Sequence, residues 1–514
     1  MTAQDGIQFL SNASGKTSTT QTGKHIFSYA LAEQAPQLSH AISKQAQWRK
    51  QYLNYIPLMV EVFSKHHDVA ENMAARGLSA SYERFVFVRD GESLPLKQAM
   101  QKHAQDYFHS AVIQGEAART LRLSLEHKGK RLSGAGLERQ IKEWISRGII
   151  EADHGNDVLE ILDNQQALDL SSYTFVLLGA GSEVGPIKTL LALGATVIAI
   201  ARNKPNNWKR LIQLAKASSG RLVVPCRENP QGKTVEEIAS IAGADLLTQT
   251  PEIAYWLNGF QQPLNIGSYA YLDGAKHVQV VMAMDAIVAY LLNCRNDITL
   301  SYLLTPSDVY CVSKTITDHC IEKANGKTLK SITLQLLNKF SLGVIFSPSV
   351  VKVVTDERGR RSGILDNLVS QQGPNYVLAK HIQRWRAIDS AKRGIRISCN
   401  VAPASSTQSV TSNPFFAAAM TGSEHFGVEV FTPDLVNVLM GLQMIHDLQK
   451  PQCQERGEAL FVSGANHGGA WRIGYSFRSL LVLSLLVGFA QKLNPIRFIA
   501  QRLKVKNKQA LEYS

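Results

Sequence analysis

The stretch Tyr173-Thr-Phe-Val-Leu-Leu-Gly-Ala-Gly-Ser-Glu-Val-Gly185, continued by Pro186-Ile-Lys-Thr-Leu-Leu-Ala-Leu193, sets the architecture of this chain. A short apolar run, a glycine-rich turn and an apolar-periodic segment opening at a proline predict strand, turn and helix in succession. The texture repeats outward from there. Thr196–Ala201 reads as a strand ending in Arg202-Asn203, Arg221–Pro225 as a third and Ala244–Leu247 as a fourth. A helix over 278–293 and strands over 298–304 and 342–346 extend the series. Strands alternating with helices at this spacing predict an α/β fold, with an open, doubly wound, mostly parallel sheet covered by helices on both faces.

Regions of different character flank this core. Residues 1–37 contain the small, polar run SNASGKTSTTQTG (11–23) and read as a mobile extension. Residues 38–168 read as a helical domain, with Leu38, Ile42, Leu53, Ile56, Val60 and Phe63 at roughly helical spacing and Pro57 as a kink or break. Residues 169–455 hold the sheet, and 456–514 form an apolar and basic C-terminal region. Within the last, Ser479–Ala490 (SLLVLSLLVGFA) falls short of the about 20 residues a spanning helix needs. It reads either as a core helix or as a monotopic membrane contact, followed by basic residues with Ile496, Ile499 and Leu503 at helical spacing.

Composition bounds the chemistry. With 514 residues, 45% apolar and 19% charged, the chain is neither disordered nor fibrous. Its net charge of +13 invites an anionic partner. Residues 491–514 supply +5 of it, from six basic residues against Glu512 alone, which argues against nucleic acid as the partner. Six cysteines without a Cys-x-x-Cys pair suggest neither a disulfide framework nor a zinc ribbon, and a reduced, cytoplasmic setting is expected, with no signal peptide opening the chain. No Gly-x-Ser-x-Gly elbow, Walker lysine, EF-hand loop or His-Glu-x-x-His motif occurs. His66-His67 reads as solvated surface, His446-Asp447 as a helix-surface pair and His467 as part of a glycine-rich loop, so no metal site is expected.

Gly179, Gly181 and Gly185, with Ser182 between them, fit a turn that brings backbone amides close to the phosphates of a dinucleotide at a helix N-terminus. Where an NAD site would place a carboxylate at the end of the second strand, this chain has Ala201-Arg202, with Lys204 close behind. A guanidinium there suits a 2′-phosphate, so the expected cofactor is NADP.

Tyr376-Val-Leu-Ala-Lys380 puts a phenol and an ammonium on one helix face. Tyrosine has an ordinary pKa of about 10, and a neighbouring positive charge lowers it toward useful acid–base chemistry. Tyr310-Cys-Val-Ser-Lys314 has the same spacing, but Val309, Cys311 and Val312 can equally continue a strand. After Lys380 come Gly394-Ile-Arg-Ile-Ser-Cys-Asn-Val-Ala-Pro403-Ala-Ser-Ser-Thr407.

In these segments, and in the order of glycine turn, Ala201-Arg202, Tyr-x-x-x-Lys helix, Gly-Ile-Arg strand and proline-threonine turn, the chain resembles the short-chain dehydrogenase/reductase superfamily, discontinuously over about 173–410. The resemblance implies a Rossmann-type sheet and NADP-dependent interconversion of a carbonyl and an alcohol. Tyr376 would be the acid–base residue, Lys380 would tune it and bind the nicotinamide ribose, and Thr407 would sit by the carboxamide. The serine that polarises the carbonyl would follow the strand before the tyrosine helix, with Ser349 as first choice and Ser347 as second. The apolar 479–490 segment makes a hydrophobic or lipid-derived carbonyl the expected substrate. Expected partners are that small molecule, a membrane surface met through 479–508, and a second copy or a partner enzyme.

The chain departs from the family pattern at Glu183, at Thr248-Gln249-Thr250, at Asp285 near the expected catalytic asparagine, and at Ala404. Ser349 also stands twice the usual distance before the tyrosine, with Asp356–Arg361 as a charged insertion between them. These departures motivate an alternative: a Rossmann-type scaffold without catalysis, acting at a membrane surface or with a partner enzyme.

Overall fold

Seven strands build the central sheet: β1 (His109–Gln114), β2 (Thr174–Leu178), β3 (Thr196–Ile200), β4 (Arg221–Cys226), β5 (Leu264–Ser268), β6 (Ile298–Leu304) and β7 (Ile397–Val401), in the order β7-β6-β5-β2-β3-β4-β1. The computed structural model describes residues 4–12, 14–119, 121, 123–326, 329–341, 344–355, 359–450 and 455–492. β2 to β7 run parallel, and β1 pairs antiparallel with β4 at one edge. The parallel strands wind outward in both directions from β2 and β5, the Rossmann-type arrangement, so the switch point lies between these two strands.

Both faces of the sheet are covered, which explains why its strands read as unbroken apolar runs rather than alternating ones. Val176, Leu178, Ile198 and Ile200 point into one core with the N-terminal helices, Ala275–Cys294 and Gly373–Lys392. Phe175, Leu177, Val197 and Ala199 point into the other, with Pro205–Lys216 and Pro433–Gln449. Ala275–Cys294 is long and apolar enough to cross a bilayer, yet it is 78% buried inside the protein, as the core helix of such a sheet must be.

Several expectations are corrected. Ala244–Leu247 is not a strand: the Asp245 carboxylate accepts from the amides of Leu247 and Thr248, and the Thr250 hydroxyl donates to the Leu246 carbonyl, curling the segment into a turn. The strand at this place in the sheet is β5, one helix later (Thr250–Asn258). Residues 344–346 form a bend, with Phe346 at φ 56°, while 342 and 343 lie outside the described residues. Val350–Thr355 and Arg361–Asp366 instead join Val309–Val312 in a separate three-stranded antiparallel sheet, inserted between β6 and the tyrosine helix. Pro57 sits inside one continuous helix, Trp48–Phe63.

The described N-terminal residues combine strands with helices. Gly6–Phe9 pairs with Phe85–Arg89, and Thr19–Leu31 is a helix with Ser18 as its N-cap. These helices buttress Gly373–Lys392: Gly77 lies flat on the Trp385 ring, which a methyl group there would meet at 2.5 Å, and the Phe27 ring meets His381 and Trp385 edge-on. Asp285 also serves this interface, taking both Arg386 and the Tyr82 hydroxyl, so it is a buried structural carboxylate.

Glu151 clamps the segment around Arg472 to the opposite core, accepting from His467 at 2.8 Å and from Arg472 at 2.6 Å. Burial pushes its carboxyl up, but those two partners outweigh it and hold the pKa at about 2. A depressed carboxylate stabilises above its unfolded value, and that contribution drains away as pH falls from about 4.5 toward about 2. At neutral pH it is about 3 kcal/mol. Urea unfolding at pH 6 and pH 3 should therefore show a loss in the wild type that Glu151→Gln largely lacks; equal losses in both would contradict this role.

Candidate functional site

The C-terminal ends of β2, β5 and β6 lie side by side, Leu178 opposite Ser268 and Ser268 opposite Tyr302, so the segments leaving them share one rim. The glycine turn leaves β2. The amides of Gly179 and Ala180 both donate to the Ile200 carbonyl, at 3.0 and 2.9 Å, which turns the chain sharply. Gly179 has φ 102°, and a side chain there would run into the backbone of Ala270. Gly179→Ala should cost about 2–4 kcal/mol through combined strain and overlap; a melting temperature unchanged from wild type would refute this packing. Gly181 and Glu183 are exposed, Ser182 is half-buried, and Gly185 is buried with its carbonyl accepting from Asn437.

Ala270 and Tyr271 carry the rim across to the tyrosine helix. Ala270 touches the glycine turn, and the next ring, Tyr271, lies 6.3 Å from Tyr376. Tyr376 stands in the first turn of Gly373–Lys392, which leads into β7. The His277 imidazole stacks on it at 5.4 Å and 22°. His277 is 2% exposed with both ring nitrogens lacking a hydrogen-bond partner, and burial followed by the Lys380 charge lowers its pKa to about 3, so it is neutral at neutral pH.

Lys380 donates to the Leu303 carbonyl at 2.9 Å and to Gln383 at 3.2 Å, with its ammonium 5.8 Å from the Tyr376 ring centre. Burial lowers its pKa to about 8. The phenol moves opposite to the sequence expectation. Desolvation raises its pKa above the ordinary value, with a hydrogen bond from Thr305 opposing and Asp308 adding to the rise. Tyr376 therefore carries its proton at neutral pH. Behind it, Gln372 donates to Ser307 at 2.8 Å, and the Ser307 and Thr305 hydroxyls are 2.8 Å apart. Since the amide fills one acceptor site of Ser307, the hydroxyl hydrogens can run Ser307 to Thr305 to Tyr376 in one direction.

Thr305 and Ser307, at the end of β6, occupy the place expected of Ser349. Their signal in the sequence is Leu304-Thr305-Pro306-Ser307, which closes the strand over 298–304. Ser349 belongs to the inserted sheet, where its amide donates to Gly474 and its carbonyl accepts from Asp366; Ser347 lies beside it, accepting from Ser476. Neither of these contacts is with Tyr376 or Lys380. The pair Tyr310/Lys314 is divided: Tyr310 is buried on a strand with its hydroxyl on the Thr305 carbonyl, while Lys314 opens a helix and meets Asp318.

At the other end of the rim, Arg202 and Lys204 are exposed beyond β3, with the Arg202 carbonyl taking the Trp208 indole. Thr407 precedes the short helix Gln408–Thr411, and the Gln408 amide donates to the Glu183 carboxylate at 2.8 Å. Glu183 thus ties the glycine turn to the Thr407 segment. The turn, Thr407 and Tyr376–Lys380 all lie at the sheet's carboxyl end, whereas Ser349 is placed elsewhere.

His446 and His467, away from the rim, are buried in the fold. His446, expected on a helix surface, is buried against Asp157 at 3.2 Å, and Asp447 accepts from Ser398, Asn400 and Gln443. His467 is buried and stacked on Trp471. His66 and His67 both meet the Asp68 carboxylate at the exposed start of the helix His67–Arg84. Comparison with protein-family models, with curated proteins and with solved structures gives no match for this chain.

Proposed function

We propose that this chain is an NADP-dependent oxidoreductase of short-chain dehydrogenase/reductase type that reduces the carbonyl of a hydrophobic or lipid-derived substrate to an alcohol. The observation that carries the reading is the rim itself: Ala270-Tyr271 connects a positive-φ glycine turn at the switch point to a protonated phenol flanked by a lysine. The residues suit the cofactor. Gly179 to Gly185 supply a close backbone approach for a pyrophosphate, and the Glu183 charge is engaged by the Gln408 amide. Arg202 and Lys204 stand exposed where a 2′-phosphate would need cations, with Thr407 and Lys380 for the nicotinamide end.

When bound, NADPH supplies a hydride. Tyr376 donates a hydrogen bond to the substrate carbonyl oxygen and gives up its proton as negative charge develops there, so carbonyl becomes alcohol and the tyrosine is left as phenolate. The neighbouring Lys380 ammonium stabilises that phenolate, and the half-buried Thr305–Ser307 hydroxyls can carry a proton from solvent back to it. The resting phenol already carries the proton that carbonyl reduction consumes. A cytoplasmic setting goes with this reading, and the five described cysteines are free.

Ketone-dependent oxidation of NADPH by the purified protein tests the proposal, with medium-chain ketones and acyl-thioester ketones as substrates. Arg202→Ser should weaken NADPH binding about tenfold or more while leaving NADH binding unchanged. Equal effects on both cofactors would remove Arg202 from the site. NADPH binding without any ketone-dependent consumption would instead favour a catalytically silent scaffold, to which Glu183 in the turn lends some support.

A further inference from the structure

More than half of the large apolar side chains exposed among the described residues lie on three neighbouring pieces of chain: Leu329–Phe340 with the bend after it, Pro414–Ser423, and Phe477–Lys492. Leu329–Phe340 with its bend and Phe477–Lys492 share one small core, in which Leu334, Leu480 and Leu483 pack around Phe346 and Tyr475, and Pro414–Ser423 packs on Phe477–Lys492 from outside it. The way they pack explains what is left outside. Pro414–Ser423 and Phe477–Lys492 meet through small residues, with Gly422 against the Ser484 carbonyl and Gly488 against the Ala418 carbonyl. Backbones that approach this closely use up the small side chains and turn the large ones outward. Phe340 is 84% exposed, Phe415 64%, Leu486 62% and Val482 55%. On Leu329–Phe340, Ile332, Leu336 and Phe340 recur every four residues and form one outward stripe, opposite Leu334.

We infer that this face docks on an anionic lipid bilayer, with Ile332, Leu336, Phe340, Phe415, Val482 and Leu486 entering the interface. Charge selects this occupant. The chain continues beyond Phe477–Lys492 with residues 493–514, which carry Arg497, Arg502, Lys504, Lys506 and Lys508 against Glu512 alone. Lys339 adds an exposed cation beside Phe340. A basic segment issuing from an exposed apolar face combines the two signals that stable peripheral attachment requires, insertion and attraction to acidic headgroups. Phe477–Lys492 has 16 residues and is held at Ser484 and Gly488 against Pro414–Ser423, so in this proposal it lies in the interface rather than crossing the bilayer.

Full-length protein is sedimented with vesicles of phosphatidylcholine alone and of phosphatidylcholine mixed with phosphatidylglycerol. Binding to the phosphatidylglycerol vesicles that weakens with added salt is expected. Phe340→Ser combined with Leu486→Ser, both at exposed positions, should reduce it at least about tenfold without lowering the melting temperature. No binding to the acidic vesicles, or binding untouched by the paired substitution, overturns the inference. So does light scattering that shows a dimer which the same substitution converts to a monomer in lipid-free solution, because the occupant is then a second copy. Stronger vesicle binding after deletion of 493–514 likewise overturns it, since the tail would then be covering the face.

Discussion

Replacing Tyr376 by phenylalanine should lower carbonyl reduction by about 10²–10⁴-fold, the range lost with a positioned general acid. Cofactor affinity should be nearly unchanged, because only the hydroxyl is removed. The ring would remain stacked on His277 and close to Tyr271, and Lys380 keeps its bonds to Leu303 and Gln383. The loss should therefore fall on kcat. Steady-state rates and NADPH titration of the same preparation check it. Full turnover in the phenylalanine variant would remove Tyr376 as the acid.

Removing the Arg384 guanidinium should destabilise the protein by about 3–5 kcal/mol, the cost of stranding buried charges. Arg384 follows Tyr376 and Lys380 at successive four-residue steps, so the helix face that ends in the phenol begins at this cation. It donates to Glu458 at 2.8 Å and to the Val309 carbonyl at 3.1 Å, lies 3.5 Å from Asp308, and is sandwiched between the Tyr310 and Phe461 rings. Burial pushes the Glu458 carboxyl up to about 7 even with the arginine present. Asp308 is likewise raised by burial and opposed by Arg384. In Arg384→Leu both carboxylates must take up protons or unfold their surroundings. Chemical denaturation should show the loss, and adding Glu458→Gln and Asp308→Asn should restore much of it. A single variant as stable as wild type would mean that neither carboxyl depends on the arginine, and would contradict this role.

The strand–turn–helix at Tyr173–Leu193 and the strand at 298–304 were legible because each is bounded by a glycine or a proline and buried on both faces. The tyrosine helix and β7 were legible for the same reason. What the sequence concealed lies in long-range pairing. β1 belongs to the sheet only through its antiparallel register with β4, more than a hundred residues later, and nothing local in His109–Gln114 announces it. Ala244–Leu247 carries strand-like apolarity, yet one Asp245 side chain turns it. The three-stranded insertion separates Thr305 from Tyr376 by 71 positions, so sequence proximity pointed to Ser349 while the fold brings Thr305 to the phenol.

The chemistry was partly legible in the same sense. The pairing of Tyr376 with Lys380 follows from helical periodicity, and the placement of the glycine turn follows from its strand. Whether the phenol is acid or phenolate depends on desolvation, which no spacing reveals. His277 was invisible for a related reason: a histidine two residues into an apolar helix looks like core until its unpartnered nitrogens are seen beside the phenol.

A crystal structure of the NADP⁺ complex tests the central claim most directly. The account predicts the nicotinamide ring beside Tyr376 and Lys380, within about 5 Å of the phenol as direct proton and hydride transfer to one carbonyl requires, and the ribose phosphate against Arg202. Nucleotide bound away from the Ala270–Tyr271 rim, or a nicotinamide ring directed away from Tyr376, would contradict it.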